Sequence, residues 1–253
     1  MRSFLDNLMF AAIVCVIIAI IVTTPARTTA CSDEDFLQVV DKQQSLPSDY
    51  EPNDLIELAS LDVPSMGRGG VQLRYHAALA YARMAKDAQA QGYSLIAVSG
   101  YRSYAQQRYV FHQNVLREMA VAEEASEPIT EITATMRANG YSARAGHSEH
   151  QLGTTLDIST REIGGALIQD LAFTATGQWL AQHAHEYGFV LSYPAGKEAL
   201  TGYVAEPWHV RWVGEPVARA LHELNYLDPS NTVTLASYLK QRQPAPCGAS
   251  FIP

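Results

Sequence analysis

The stretch GHSEHQLGTTLD, residues Gly146 to Asp157, passes from a polar loop into a short strand. Thr154–Ile158 (TTLDI) reads as that strand, and Gly153 before it permits the turn that brings His150 back over Asp157. Downstream, Trp208–Val213 reads as another strand, opened by the segment EPWHVR (Glu206–Arg211). Upstream, Ser94–Val98 (SLIAV) reads as a buried strand leading into SGYRSYAQQ (Ser99–Gln107). Ser103 is placed to cap a helix from Tyr104 to about Glu118, with Gln106 three residues on completing a capping box. Further helices are expected over Arg74–Ala90, Glu131–Ala138, Gly177–Tyr187, Pro216–Leu224 and Leu235–Lys240, with a strand at Phe189–Ser192. Helices and short strands alternate without a regular βαβ rhythm, which points to an α+β domain.

Outside this core the chain changes character. From Leu8 to Val22 runs LMFAAIVCVIIAIIV, fifteen residues with no charge or helix breaker. It is short of the ~20 residues that span a bilayer comfortably and matches the apolar region of a signal peptide. Residues 1–30 are therefore expected to be a signal peptide or an uncleaved membrane anchor, and the protein to be exported to the periplasm or cell envelope. Residues 31–66, with Pro47, Pro52 and Pro64, are expected to form a linker and loose lead-in. The catalytic domain is placed at 67–226, its compact part opening near Val71, and a C-terminal extension at 227–253. Cys31 and Cys247 stand near opposite ends of the exported part, where a disulfide between them is one expectation and lipidation of Cys31 another. The formal charge of −8 argues against nucleic acid as a partner, because gripping phosphates takes clustered Lys and Arg.

A hydrolytic zinc site needs three ligands of His, Asp or Glu type, an open position for water, and a carboxylate to take the water's proton. His150, Asp157 and His209 can be those ligands, and Glu206 the base. Pro207 pins the backbone between Glu206 and His209, so base and ligand are held in fixed relation. The remaining histidines (His76, His112, His147, His183, His185 and His222) read as ordinary surface or core residues.

The three segments together resemble those of the VanY-like D-alanyl-D-alanine carboxypeptidases, whose pattern runs SGYRS…Q, then SxHxxGxxxD, then EPWHxR. The likeness covers roughly Tyr93 to Gly214, including the supporting run Trp179–Thr201. It implies a hedgehog/DD-peptidase-like fold, with a small mixed, mainly antiparallel sheet and flanking helices. It also implies a zinc ion held by His150, Asp157 and His209, with Glu206 as catalytic base. Arg102 would polarise the scissile carbonyl or bind a substrate carboxylate. Gln107, Ser148, Tyr193 and Trp208 fall at substrate-binding positions. The implied substrate is a peptidoglycan stem peptide that loses its terminal D-amino acid. An L,D-carboxypeptidase, a D,D-dipeptidase or a murein endopeptidase would use the same zinc site. A zinc-stabilised wall-binding module without turnover would be expected to lack the base. Three positions depart from the family pattern: Ala145 stands for a frequent Pro, Thr155 for a small Ala, and Ser192 for a frequent Arg that helps fix substrate.

Overall fold

Four strands form the sheet that carries the site. In chain order the elements are β1 (Leu55–Glu57), β2 (Gln72–Arg74), α1 (Tyr75–Ala90), β3 (Ile96–Ser99), α2 (Tyr104–Glu124), α3 (Glu131–Ala138), β4 (Thr155–Ser159), α4 (Ala175–His183), β5 (Phe189–Leu191), α5 (Glu198–Thr201), β6 (His209–Trp212), α6 (Glu215–Leu227) and α7 (Leu235–Arg242). The computed structural model describes residues 34–66, 70–227 and 233–242. The apolar stretch Leu8–Val22, Cys31 and Cys247 lie outside the described residues. Among the described residues no helix is long and apolar enough to cross a membrane.

The larger sheet has the order β3-β4-β6-β5 with every pair antiparallel, and β1 pairs with β2 in a separate two-stranded ribbon. Register decides which residues meet. Leu156 lies opposite Val210 and Asp157 opposite His209, while Ser99 lies opposite Asp157 after an irregularity in β3. Because side chains alternate along a strand, Leu156, Ile158 and Val210 share one face and Asp157 and His209 the other. The first face packs on α1 through Ala77, Tyr81 and Met84, with Trp179 and Phe189 completing the core.

Helix α2 starts where the sequence places its cap. Ser103 accepts from the Gln106 backbone N–H at 3.2 Å, and Gln106 Oε1 accepts from the Ser103 N–H at 2.8 Å. That is the anticipated capping box, and it fixes the orientation of the helix turn bearing Gln107. The helix expected over 177–187 is instead α4 plus a tighter 3-10 turn, Ala184–Tyr187, which ends at Gly188 with φ of 84°.

The main departure concerns the lead-in. Residues 34–66 are part of the fold: Val39, Val40, Leu46 and Leu58 are buried, and β1 lies within this stretch. The Leu46 N–H donates to the Gly146 carbonyl at 2.8 Å, and Gln151 donates to the carbonyls of Pro47 and Tyr50. Its polar composition hid this, because the segment is held by backbone hydrogen bonds and a few apolar anchors rather than by periodic burial. Part of the expected C-terminal extension packs on it too. Leu235, Tyr238 and Leu239 of α7 cluster with Val39, and Lys240 pairs with Asp41 at 2.6 Å.

Candidate active site

His150 lies in a 3-10 turn, Glu149–Leu152, that ends on Gly153 with φ of 71°. A Cβ at Gly153 would press on Leu55 and Arg74, so this turn needs glycine for both conformation and space. The turn lays His150 against the loop after β3. His150 Nδ1 donates to the Gly100 carbonyl at 2.7 Å, and the Arg102 N–H donates back to the His150 carbonyl at 3.2 Å. Gly100 is itself packed so tightly on the Gln72 carbonyl that a Cβ there would collide with it.

With Nδ1 engaged, His150 turns Nε2 toward Asp157 Oδ2, 3.3 Å away. His209 presents Nδ1 to Asp157 Oδ1 at 3.3 Å and to Glu206 Oε2 at 3.4 Å, because its Nε2 donates to Glu149 Oε2 at 3.0 Å. The two imidazoles meet edge to face, ring centroids 5.1 Å apart. One ligand atom from each of His150, Asp157 and His209 lies within 4.8 Å of the others, and all three residues are buried.

Charge shows what this cluster is built to receive. Burial alone would push the Asp157 carboxyl up, but the two histidines outweigh it and hold the group well below the usual carboxylate range. Burial pushes His150 down, against the pull of Asp157. At His209 burial opposes the charge, yet the adjoining carboxylates of Asp157, Glu149 and Glu206 lift it to about 10. Burial also lifts Glu206 to about 7, with Asp157 and Glu149 adding to the rise and His209 and Arg102 resisting it. A cation placed between these groups would displace the His209 proton, leaving the buried carboxylate facing two nitrogen lone pairs. Asp157 Oδ1 makes no hydrogen bond although it is enclosed. Donor set, lone-pair directions and net charge all fit a zinc ion.

Around the cluster is a cavity of about 190 Å³ lined by Arg102, Gln107, Ser148, Tyr193, Glu206 and Trp208 together with the three ligand candidates. Every site residue read from the sequence therefore converges on one space. Arg102 is aimed from the side: Nη1 donates to Gln107 Oε1 at 2.7 Å and Nη2 to Ser99 Oγ at 2.8 Å. Gln107 is buried and also donates to the Ala143 carbonyl, so much of its hydrogen-bonding capacity goes to orienting Arg102. Tyr193 packs its ring 4.7 Å from that of His209. A larger groove of about 1000 Å³ lies along α1 beside Trp212, but it contains no convergent ligand set and is not the chemical centre.

Two expectations change. Ser192 does not line the cavity; it faces a separate pocket behind Glu149. Glu149 and Arg211, passed over in the sequence, are buried and paired at 2.8 Å directly behind His209. A signal for them existed. Glu149 adjoins one ligand candidate, and Arg211 lies two residues beyond another on a strand, hence on the same face. Tyr203 also lines the cavity, its ring 4.8 Å from that of Tyr193, and nothing local in the sequence marked it.

Two imidazoles and a carboxylate, converging beside a second carboxylate and a guanidinium, make the arrangement of a metal-dependent peptidase. The VanY family, described as D-alanyl-D-alanine carboxypeptidase, matches residues 70–215. The chain belongs to this family and is a peptidase of it. It is 36% identical over 216 residues to YodJ of Bacillus subtilis (strain 168), covering 84% of this chain and 70% of that one. Among solved structures, the LdcB LD-carboxypeptidase is 35% identical with a TM-score of 0.68, covering 82% of this chain and 86% of that one. The vancomycin-resistance D,D-pentapeptidase VanY in complex with Zn(II) is 26% identical with a TM-score of 0.63, covering 81% and 99%.

Proposed function

We propose that this protein is a zinc-dependent D,D-carboxypeptidase that removes the terminal D-alanine from peptidoglycan stem peptides. The observation that carries the reading is the convergence of His150 Nε2, Asp157 and His209 Nδ1 beside Glu206, in a cavity that Arg102 enters from the other side. His150, Asp157 and His209 would hold the ion. Zinc bound there would supply Lewis acidity, acidifying a water and polarising a carbonyl.

The chain's own residues do the rest. Glu206, lifted toward neutrality by burial, takes a proton from the attacking water at its Oε2 and returns it to the departing amine. Its reach is fixed by two backbone bonds: the Glu206 N–H donates to the Tyr193 carbonyl at 2.9 Å, and the His209 N–H to the Glu206 carbonyl at 3.2 Å. Arg102, locked by Gln107 and Ser99, supplies fixed positive charge for oxygen charge that develops on the substrate. Ser148, buried two residues before His150, offers a hydroxyl to the free carboxylate of the leaving D-alanine. Tyr193 and Trp208 provide apolar walls for its methyl group and the preceding residue. Export, expected from Leu8–Val22, belongs with this reading because the substrate lies outside the cytoplasm.

A second reading, an L,D-carboxypeptidase acting on tetrapeptide stems, is favoured by the greater likeness to LdcB than to VanY. One assay separates the two. Purified protein is incubated with a pentapeptide ending in D-Ala-D-Ala, a tetrapeptide ending in one D-Ala, and the C-terminally amidated pentapeptide. Products are identified by mass. The D,D reading expects loss of one alanine from the free pentapeptide and little from the other two. Preferential cleavage of the tetrapeptide would establish the L,D alternative. Equal cleavage of free and amidated pentapeptides would point to an endopeptidase and sink both.

A further inference from the structure

Behind the metal-facing atoms runs a line of buried groups that the proposed reaction does not use. His209 Nε2 donates to Glu149 Oε2 at 3.0 Å, and Glu149 Oε1 accepts from Arg211 Nη1 at 2.8 Å. Arg211 Nη2 donates in turn to the carbonyls of Phe36 and Gln38, at 2.9 and 2.6 Å. Arg211 is 1% exposed and Glu149 4%. Both charges have left water at a desolvation cost, and apolar residues of similar volume often stabilise a fold as well as such a pair does. Stability alone therefore gives no reason for a salt bridge at this spot.

Direction does. A neutral imidazole carries one proton, and its position decides which nitrogen offers a lone pair. Glu149, an acceptor at both oxygens, holds the proton on Nε2 and leaves the Nδ1 lone pair facing Asp157 and Glu206. His150 is oriented by the Gly100 carbonyl, a main-chain group fixed by the loop after β3. His209 has instead a side chain, which must itself be held. Glu149 sits in the 3-10 turn next to His150 while Arg211 comes from β6, so their pairing also ties the two ligand-bearing elements together.

The geometry points to Glu149 as the positioning residue for His209, with Arg211 holding its carboxylate in place and the Phe36 and Gln38 carbonyls holding Arg211. This rests on the reading that His150, Asp157 and His209 bind zinc. Glu149 lies outside the substrate cavity, so its action passes through His209 and not through contact with the substrate.

The test uses the full chain and two readouts: zinc affinity by competition with a chelator, and the melting temperature of metal-free protein. Replacing both partners at once, Glu149→Leu with Arg211→Met, removes the two buried charges together. Metal-free melting should stay within a few degrees of the unmodified protein, while the zinc Kd rises about ten- to a hundredfold. The conservative pair, Glu149→Gln with Arg211→Met, keeps an acceptor oxygen for the Nε2 proton and should recover part of the lost affinity. A packing role would not produce that gradation. If the Leu/Met pair fails to fold, the conservative pair decides: a Kd above that of the unmodified chain supports the proposal, and an equal Kd overturns it. Wild-type affinity in a folded Leu/Met pair would likewise overturn it. An unmodified chain that takes up no zinc, and is matched in this by His150→Ala, would remove the metal centre itself and the positioning role with it.

Discussion

The two faces of the central sheet are buried to the same depth and serve opposite ends. On one, Leu156, Ile158 and Val210 are fully enclosed against α1; on the other, one residue along, Asp157, His209 and Arg211 are between 1% and 5% exposed. The first face lowers the free energy of the fold by removing apolar area from water, at about 25 cal/mol per Å². The second spends stability, because its charges are desolvated and at least one carboxylate oxygen, Asp157 Oδ1, lacks a hydrogen bond. Substitutions on one face should therefore unfold the protein while leaving its chemistry intact, and those on the other should do the reverse.

The largest effect is expected at Asp157. Asp157→Ala removes a carboxylate ligand and should abolish stoichiometric zinc, lowering kcat/KM by about a thousandfold or more, roughly 4 kcal/mol. Metal analysis and a D-alanine release assay measure both. Full activity in this variant would show that the polar face is not the metal centre.

Next comes its neighbour on the apolar face. Leu156→Ala empties space under the sheet and should cost about 2–5 kcal/mol of unfolding free energy, read by urea denaturation. Whatever fraction remains folded should still bind one zinc. Loss of zinc without loss of stability at Leu156 would erase the distinction between the faces.

Glu206→Gln should lower kcat by about a hundredfold or more, near 2.7 kcal/mol, with zinc content and melting temperature little changed. Zinc loss here would mean that Glu206 is a ligand and that the base lies elsewhere. The smallest effect is expected at Ser192, whose side chain faces the pocket behind Glu149. Ser192→Ala should change kcat/KM by less than about threefold, and a larger fall would place it on the substrate path after all.

The polar face was legible in the sequence and much of its support was not. His150, Asp157 and His209 stand in two short segments legible as a loop and two strands, while the register that sets Asp157 opposite His209 comes from the tertiary fold. Arg102 and Gln107 were legible through the likeness of SGYRS…Q to the family pattern, and the Ser103 capping box then fixes where the helix bearing Gln107 begins. The lead-in was not, because residues 34–66 gain their order from distant partners: Gly146, Gln151, Arg74 and Arg211 all reach into that stretch. Three-residue strands such as β1 and β2 carry too little periodicity to be seen locally. Glu149 and Arg211 were missed because a charged residue in a polar motif reads as solvated until its burial is known. Tyr203 reaches the cavity from a loop after α5, a placement that only the tertiary fold determines.

The decisive measurement strips the purified chain with a chelator, adds back zinc in steps, and follows D-alanine release from a pentapeptide stem alongside bound zinc per chain. Metal-dependent turnover requires no release from metal-free protein, and activity that rises linearly to a plateau at one zinc per chain in the unmodified protein and stays absent in Asp157→Ala. Full release by the metal-free chain, or a plateau at one bound zinc with no release from any stem peptide, would contradict it.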